Sequence, residues 1–501
     1  MKAKELIRLS GCEGAVRGDL AAAGELTGVS RDSRTVRPGE IFAAISGGSH
    51  DGRRYIREAE AKGAAAILTD DPGVRSSLPL LLTDRVRAAF ACFSAAFAGN
   101  PQRAMRLFAI TGTNGKTSTS FLAESVLSAA GRRTAVIGTT GARAEGKVFP
   151  FPDEESGISQ MTTPDPEILY PLLARLSDAG ITDVVMEASS HSLELDKLAP
   201  LRFSCGIYTN FSPEHLDFHK TMEGYLSAKR KLAPLCDTVL YNGDDPTWQT
   251  AFSRTPGARS FGLSDAYYQA KDPAVRPLGG VRYLLSSEDA IFTVASPLPG
   301  LFTVYNSLAA AALALTEGIH PLIIAETVRS ISSIPGRMEA VPLDRTKSDF
   351  AVYLDFAHTE AALRSLLSSL APLRAAGQRV VTLFGCGGER DESKRAPMGK
   401  TACELSDYVY ITQDNSRGED PEKIFRDILA GVKEYDNYRV IPDRKNAIRQ
   451  AVLDAREGDV ILLAGKGHET YEINAEGKHP FSEKEIVLSA AKEKYEGKKR
   501  R

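Results

Sequence analysis

The sequence lacks an apolar run close to the 18 or so residues that span a bilayer, and its first residues lack the apolar core of a signal peptide. It also lacks an excess of charge of either sign. The chain has 62 Lys and Arg residues against 64 Asp and Glu residues, for a net charge of -2. Proteins that bind nucleic acid through its phosphates are usually basic. We therefore expect neither membrane insertion nor nucleic-acid binding.

Cysteine is scarce and scattered. The sequence contains six cysteines and no Cys-x-x-Cys pair. This pattern does not fit a disulfide framework and indicates free thiols in a reducing compartment. The expected location is the cytoplasm.

The length and composition are those of a globular protein with several domains. Of the 501 residues, 43% are hydrophobic and 25% are charged. At about 150 residues per domain, this length predicts roughly three domains. Changes in the pattern predict their ranges as 1–103, 104–335 and 336–501.

The second and third predicted domains alternate short apolar runs with helical stretches. This alternation predicts an α/β fold with parallel sheets buried on both faces. The predicted strands are 105–110, 134–138, 182–186, 205–209, 351–354, 379–384, 408–412 and 459–463. Glu187, Asn210, Asp355, Asp414 and Gly465 each lie at or just beyond the end of one of them. Ligands bind along the carboxyl edge of such sheets, so we expect two ligand-binding edges that face each other.

A glycine-rich loop follows the strand at 105–110. Its sequence is TGTNGKT at 111–117, and a helix is predicted from 116 to 130. Backbone N–H groups in such a loop surround phosphate oxygens, Lys116 can reach the terminal phosphates, and the Thr117 hydroxyl can ligate Mg²⁺. The loop is shorter than the common GxxxxGK[ST] pattern. ATP binding is favoured over an ordinary glycine-rich turn because the loop joins a strand to a helix and ends in Lys-Thr.

Two sets of polar residues suggest a metal or phosphate site. Glu187 ends a buried strand, where a carboxylate needs a cation or hydrogen-bond donors. His215 and His219 are four residues apart, a spacing that on a helix fits zinc, but Pro213 and the absence of an HExxH motif weaken that interpretation. Zinc ligation, a structural histidine pair and a role at a magnesium-phosphate site all remain open.

Lys229 lies on the apolar side of a predicted helix. Met222, Tyr225, Leu226 and Leu232 share its face at helical spacing. An apolar setting favours the neutral amine, which can add CO₂ to form an anionic carbamate. From position alone, a lysine that extends its amine to the surface is the simpler interpretation.

Twelve motifs in this order resemble those of the Mur ligases, the ATP-dependent amide ligases that build the peptidoglycan stem peptide. They are DSRTVRPGEIF (32–42), TGTNGKT (111–117), MTTPD (161–165), EASSHSL (187–193), HLDFH (215–219), AK (228–229), LPGLFTVYNSLAA (298–310), GRME (336–339), DFAHT (355–359), GCGGERDESKR (385–395), DNSR (414–417) and GKGHE (465–469). The chain is most similar to the members that add the third residue. The resemblance implies an N-terminal UDP-substrate domain, a central P-loop ATPase domain and a C-terminal Rossmann-like domain for the amino acid.

The resemblance also implies roles for individual residues. The catalytic residues would be Lys116, Glu187, His215 and Lys229. ATP would be bound by Gly112, Thr113, Asn114, Gly115, Lys116, Thr117, Asn306, Arg337, Asp355 and His358. Mg²⁺ would be ligated by Thr117, Glu187, His215 and a carbamate on Lys229. The UDP-linked substrate would be bound by Ser33, Thr162, Thr163, Ser189 and Lys197. The amino acid would be bound by Arg390, Asp414, Asn415, Ser416, Arg417, Gly465 and Glu469.

The implied reaction is addition of meso-diaminopimelate to UDP-N-acetylmuramoyl-L-alanyl-D-glutamate through an acyl phosphate, by a protein expected to be monomeric. Ser416 stands where the family usually has proline, but Arg417 is present and can pair with the distal carboxylate of diaminopimelate. Lys197 stands where the family usually has arginine, a change that keeps the positive charge but removes the bidentate guanidinium. L-Lysine or L-ornithine as the added residue, a folylpolyglutamate synthetase-like ligase and a nucleotide-binding regulatory protein are the alternatives.

Overall fold

The computed structural model describes residues 1–12, 17–18, 22, 24–47, 51–151, 161–276, 278–344 and 349–499. It has an α/β fold in which each large sheet lies within one of the three predicted domains. The exact boundaries between these domains remain predictions. No helix in these ranges is long and apolar enough to cross a bilayer.

The first sheet has the strand order β1-β5-β4-β3-β2 and is parallel except for β1. Its strands are β1 (Arg17–Gly18), β2 (Gly28–Ser30), β3 (Glu40–Ala43), β4 (Ala66–Thr69) and β5 (Leu80–Leu82). The helices of this part are α1 (Ala3–Ser10), α2 (Ile56–Ala61) and α3 (Val86–Phe97). Apolar side chains of α1 and α3 pack together on one face of this sheet.

The central sheet has the order β16-β15-β14-β13-β12-β11-β6-β10-β7-β8-β9. Its strands are β6 (Arg106–Thr111), β7 (Thr134–Gly138), β8 (Gly141–Ala144), β9 (Lys147–Val148), β10 (Asp183–Glu187), β11 (Phe203–Tyr208), β12 (Cys236–Asn242), β13 (Arg259–Gly262), β14 (Tyr268–Arg276), β15 (Gly280–Ser286) and β16 (Ile291–Ser296). Its helices are α4 (Lys116–Ala129), α5 (Pro166–Asp178), α6 (Ser190–Glu194), α7 (Leu216–His219), α8 (Met222–Arg230), α9 (Pro246–Phe252), α10 (Leu301–Thr316) and α11 (Pro321–Ser330). Strands β7, β10, β6, β11, β12, β13 and β14 are parallel.

The third sheet has the order β17-β18-β22-β19-β20-β21 and is parallel except for β17. Its strands are β17 (Glu339–Ala340), β18 (Ala351–Asp355), β19 (Val380–Phe384), β20 (Tyr408–Ile411), β21 (Tyr438–Val440) and β22 (Val460–Ala464). A hairpin of β23 (Tyr471–Asn474) and β24 (Gly477–Pro480) follows. The helices are α12 (Glu360–Ala375), α13 (Arg395–Leu405), α14 (Pro421–Leu429), α15 (Arg444–Leu453) and α16 (Glu483–Lys499).

The central strands of both large sheets are covered on two faces. In β6, Phe108 and Ile110 belong to one apolar cluster, while Leu107 and Ala109 belong to the cluster on the other face. In β22 the side chains likewise alternate between two clusters. Burial on both faces explains why these strands are continuous apolar runs in the sequence.

Each predicted strand is present, with its ends shifted by no more than two residues. The sequence analysis missed the antiparallel additions at both ends of the central sheet. The pairing register between β14 and β15 shifts between Lys271 and Ala274, which is typical of a β-bulge, and much of β14 is exposed. An exposed, bulged strand has no apolar run by which it could be recognised.

Candidate active site

The predicted phosphate loop joins β6 to α4. Gly112 and Gly115 have φ angles of 143° and 86°, which favour glycine. A Cβ atom on Gly112 would lie 1.9 Å from Thr209 Oγ1, and one on Gly115 would lie 2.5 Å from Asn306 Oδ1. The backbone N–H of Asn114 donates to Asn210 Oδ1 at 2.8 Å. The segment after β11 and the helix α10 therefore hold the loop in one conformation.

Two lysine amines meet at the same backbone carbonyl. Lys116 Nζ donates to the carbonyl oxygens of Gly112 at 2.9 Å and Thr113 at 2.8 Å. Lys229 Nζ donates to the Gly112 carbonyl at 2.8 Å, and the Lys229 side chain is 1% exposed. Burial lowers the pKa of both amines, and the neighbouring Lys116 further lowers that of Lys229. The neutral amine of Lys229 is thus favoured, and the simpler interpretation from position alone, a lysine that extends its amine to the surface, is wrong because the whole side chain is buried.

Glu214 is a buried carboxylate beside these lysines that the sequence analysis did not single out. Its side chain is 11% exposed, and its oxygens lie 3.7 Å from His215 Nε2 and 3.6 Å from His358 Nε2. Burial alone would raise the pKa of Glu214, but His358, His215 and Lys116 hold it well below its usual range. Because His358 belongs to the third predicted domain, Glu214 connects two parts of the chain.

The histidine motif does not form the helical pair that a zinc site would use. His215 caps α7 with a left-handed φ of 57°, while His219 ends α7 and is hydrogen-bonded to Ser190 Oγ at 2.9 Å. Their rings surround that of His191, with centroids 4.8 and 5.4 Å away. In the ranges that the structure describes, no group of three or more His, Cys, Asp or Glu side chains could hold a metal ion. The zinc interpretation therefore has no structural support.

Glu187 ends β10 and is turned toward the end of β7. Its carboxylate accepts hydrogen bonds from the backbone N–H of Thr139 at 3.1 Å and from the Thr139 hydroxyl at 2.9 Å. The Thr139 hydroxyl also lies 3.1 Å from that of Thr162. Thr163 donates to the Glu187 carbonyl at 2.7 Å and to Ser189 Oγ at 3.2 Å. The predicted substrate residues of the two motifs TTP and SSH thus lie together around Glu187.

Ser33 and Lys197, which are also predicted to hold the UDP-linked substrate, contact carboxylates of the protein itself. Ser33 is buried, and its hydroxyl donates to Glu58 at 2.9 Å within the first domain. Lys197 is also buried and lies 2.7 Å from Asp165 Oδ1. Arg31, beside Ser33 in the chain, forms an ion pair with the same Asp165. The Arg31–Asp165–Lys197 group, which the sequence analysis missed, therefore connects the first domain to the central one.

Residues of the third domain reach the phosphate loop. Arg337 donates to the Thr117 hydroxyl at 2.9 Å, and its guanidinium lies 5.0 Å from the centre of the Phe356 ring. Asp355 accepts from the backbone N–H groups of Met338 and Ala357, both at 2.8 Å. Arg337 and Asn306 also line a cleft beside α4, together with Leu122, Leu298, Phe302 and Ile334. The cleft is largely apolar and adjoins the loop, but its open volume of about 10 Å³ is too small for an adenine ring unless its walls move.

The predicted amino-acid residues form a buried network at the carboxyl edge of the third sheet. Asn415 donates to Glu469 at 2.8 Å and accepts from Lys466 Nζ at 2.8 Å. Lys466 is fully buried and lies 3.8 Å from Asp414. Burial alone would raise the pKa of Asp414, but Lys466 and Arg444 hold it below its usual value. Lys466 was quoted in the GKGHE motif but was not predicted to act.

The DNSR loop has a tightly packed backbone. Arg417 has a left-handed φ of 52°, and its guanidinium donates to the carbonyl of Gly388 at 2.9 Å. Ser416 is buried. Its carbonyl oxygen packs so closely against Gly388 that a Cβ atom added to Gly388 would lie 2.0 Å from that oxygen. A Cβ on Gly465 would lie 2.5 Å from Asp414 Oδ2. Arg390 is exposed. Burial lowers the pKa of Arg417, and the nearby charge of Arg390 lowers it further.

A phosphate loop at the carboxyl edge of one parallel sheet, contacted by residues of a second sheet, defines a P-loop nucleotide-binding protein. Matches to models of protein families identify a narrower group within this class. The Mur ligase middle domain matches residues 110–314, the Mur ligase glutamate ligase domain matches 336–467, and the Mur ligase family catalytic domain matches 25–96.

Individual relatives agree with the family models. The UDP-N-acetylmuramoyl-L-alanyl-D-glutamate--2,6-diaminopimelate ligase of Solibacter usitatus is 38% identical over 478 residues, which cover 93% of this chain and 94% of that protein. A solved structure of a protein with the same name is 31% identical, with a TM-score of 0.65, and covers 93% of this chain and 95% of that one. Mycobacterium tuberculosis folylpolyglutamate synthase with ADP shares the fold at 16% identity, with a TM-score of 0.60 over 80% of this chain and 92% of that one. The chain belongs to the Mur ligase family and is an ATP-dependent ligase.

Proposed function

We propose that this ligase joins meso-diaminopimelate to the D-glutamate of UDP-N-acetylmuramoyl-L-alanyl-D-glutamate in peptidoglycan synthesis. The main structural support is that His358 and Arg337 of the third domain contact Glu214 and Thr117 beside the phosphate loop. This contact brings the edge predicted to bind the amino acid toward the edge predicted to bind ATP. The names of the relatives supply the substrates.

The nucleotide site would be formed from both domains. The backbone N–H groups of 112–117 and Lys116 would bind the ATP phosphates, and the cleft beside Asn306 would bind the base. Arg337 would leave Thr117 for a phosphate oxygen, with Asp355 and His358 close to the nucleotide. The pKa of Lys116 is lowered by burial, so an arriving phosphate would restore its charged form.

Magnesium and a carbamate would be held by residues around the loop. Glu187 offers a buried carboxylate, His215 a ring whose pKa burial lowers to about 4, and Thr117 a hydroxyl. The neutral amine of Lys229 would add CO₂ by forming a new N–C bond and releasing a proton, which yields an anionic carbamate. Bound Mg²⁺ would neutralise charge on the transferring phosphate.

The UDP-linked peptide would lie across the first and central domains. Thr162, Thr163 and Ser189 surround Glu187 and would hold the peptide end. Ser33 would contact the UDP end only after exchanging its hydrogen bond to Glu58. Lys197 would act through its ion pair with Asp165, which orients the TTPD segment.

The third domain would bind the diamino acid. Asp414, Asn415 and Glu469 present oxygens suited to an ammonium group, and Arg417 with Arg390 presents positive charge suited to the distal carboxylate. Gly465 and Ser416 shape the loops that hold these groups. Diaminopimelate is favoured over L-lysine and L-ornithine because neither alternative has a distal carboxylate to pair with Arg417.

The reaction follows from this arrangement. The D-glutamate carboxylate attacks the γ-phosphate of ATP, and an acyl phosphate and ADP form. Lys116 offsets the repulsion between the two anions. The amine of the diamino acid then attacks the acyl carbon, inorganic phosphate leaves and an amide bond remains. We place this chemistry in a cytoplasmic monomer, as the sequence predicts.

The proposal is tested with a substrate panel. The purified chain is given ATP, UDP-N-acetylmuramoyl-L-alanyl-D-glutamate and either meso-diaminopimelate, L-lysine or L-ornithine, and the tripeptide is measured by mass spectrometry. Phosphate release should require both the peptide and a diamino acid, with diaminopimelate used best. Equal phosphate release without the peptide would contradict the ligation, and a preference for L-lysine would contradict the choice of amino acid.

A further inference from the structure

Arg31 lies in the turn that follows β2, two residues before Ser33, and none of the roles assigned above includes it. Its guanidinium extends from the first domain to the start of α5 in the central domain. Nε donates to Glu167 Oε1 at 2.8 Å, and a second nitrogen donates to Asp165. Asp165 caps α5, and Glu167 lies in its first turn. One planar guanidinium thus bridges two carboxylates, a geometry that fixes direction as well as distance.

The turn that contains Arg31 is held firmly within the first domain. The Ser33 hydroxyl donates to Glu58 at 2.9 Å, and the Asp32 carboxylate accepts from the backbone N–H of Arg34 at 2.9 Å. Arg31 therefore belongs to the same short turn as the serine predicted to contact the UDP end. A shift of this turn relative to α5 would move both residues together.

The carboxylates at the other end of this contact adjoin the residues predicted to hold the peptide. Asp165 ends the MTTPD motif, and its side chain also pairs with Lys197 at 2.7 Å. Two residues earlier, Thr163 donates to the Glu187 carbonyl at 2.7 Å. Asp165 is 5% exposed, so its position is well defined by the cations of both domains. Arg31 thus links the predicted UDP site to the predicted peptide site.

The apolar contact beside this ion pair leaves room for small movements. Helix α3 of the first domain packs against α5. Ala91 and Ala95 of α3 are buried in the same apolar cluster as Leu169 and Leu173 of α5. Alanine side chains are short and interlock little with a neighbouring helix, and packed helices can slide past each other by small amounts. The contact holds the domains together, whereas the guanidinium sets their alignment.

We propose that Arg31 is a positioning residue, which aligns the first domain with α5 so that a substrate bound by its UDP end presents its D-glutamate correctly in the central domain. This inference rests on the proposed function. Binding energy from the UDP end assists the reaction only if the two ends of the site keep a fixed spacing. An error of about 1 Å in positioning can cost a hundredfold in rate.

The test compares tripeptide formation from the UDP-linked substrate and from N-acetylmuramoyl-L-alanyl-D-glutamate, which lacks UDP. Arg31→Ala should lower kcat/KM for the UDP-linked substrate about tenfold or more, but leave kcat/KM for the truncated substrate near the wild-type value. Arg31→Lys keeps the charge without the planar fork and should recover part of the loss. Arg57→Ala is the matched control, since this exposed arginine lies on α2 of the same domain. Equal losses with both substrates, or no loss with the UDP-linked one, would overturn the inference.

A double-variant cycle separates positioning from direct contact between Arg31 and the substrate. If Arg31 acts through α5, Glu167→Gln should lower kcat/KM about threefold, and Arg31→Ala combined with Glu167→Gln should be no worse than Arg31→Ala, because the contact is already lost. If Arg31 binds the UDP phosphates instead, Glu167→Gln would release the guanidinium and raise kcat/KM. That rise would overturn the inference, as would independent losses that multiply in the double variant. A wild-type enzyme that forms no tripeptide would instead overturn the proposed function.

Discussion

The carboxyl edges of the two large sheets both contain buried lysines but stabilise them differently. At the central sheet, Lys116 and Lys229 are held by backbone carbonyls, with both amines at Gly112. At the third sheet, Lys466 lies within 4.0 Å of two carboxylates and donates to Asn415. The first edge gains stabilisation when an anionic ligand arrives, whereas the second is already neutralised. The buried lysines of the central domain therefore mark a site that an anionic ligand would stabilise. The buried lysine of the third domain marks a site whose charges are already paired.

The largest expected effect is at the central edge. Lys229→Ala should lower turnover by about a thousandfold, because it removes the group that would become the carbamate. A small added carboxylate such as acetate should restore part of the rate. Steady-state phosphate release is the measurement, and Lys231→Ala, an exposed lysine paired with Glu194, is the control. A near-normal rate in Lys229→Ala would contradict the proposed role.

A comparison of two lysine-to-methionine variants tests the contrast between the edges directly. Lys466→Met removes the buried cation that lies within 4.0 Å of Asp414 and Glu469, although Arg444 still offsets part of the Asp414 charge. It should lower the free energy of unfolding by about 3 kcal/mol. Lys116→Met removes an amine whose hydrogen bonds go only to carbonyls, and His358 and His215 still offset the charge of Glu214, so activity should be lost with little change in stability. Denaturant titration of both variants is the measurement. Equal destabilisation by the two substitutions would show that the edges do not differ.

A smaller effect is expected in the choice of amino acid. Arg417→Ala should lower kcat/KM for meso-diaminopimelate about a hundredfold, since the distal carboxylate loses its paired guanidinium. The low activity with L-lysine should change little. Arg439→Ala, at an exposed position on β21, is the control. A uniform decrease for both amino acids would argue that Arg417 supports the loop rather than selecting the substrate.

The smallest expected effect is on the thermal stability of the protein, through a carboxylate of the third domain, and it depends on pH. Hydrogen bonding with the Arg395 guanidinium lowers the pKa of Glu419 to about 2, although burial acts in the opposite direction. The folded state then binds fewer protons than the unfolded state between about pH 4.5 and pH 2, so this stabilisation is lost as pH falls through that window. Glu419→Gln should lower the Tm by about 2–4 °C at pH 7. The difference from wild type should shrink at pH 4, and a constant difference would contradict the assignment.

The local features were predictable from the sequence. A strand buried on both faces must be apolar along its length, so β6, β7, β10 and β22 could be located to within a residue or so. The phosphate loop was recognisable because its glycines and Lys-Thr are consecutive. The helical spacing of α8 likewise placed Lys229 on the buried face, where the structure has it.

The partners of the buried charges could be known only from the tertiary structure. Glu214 and His358, and Arg31 and Asp165, each lie more than 100 residues apart in the chain. Short-range periodicity reports which face of an element is buried, but not which residue of another domain approaches it. The sequence by itself therefore determined the buried parallel strands, the loop and the family, whereas the pairing of charges across the domains was decided by how the sheets pack together.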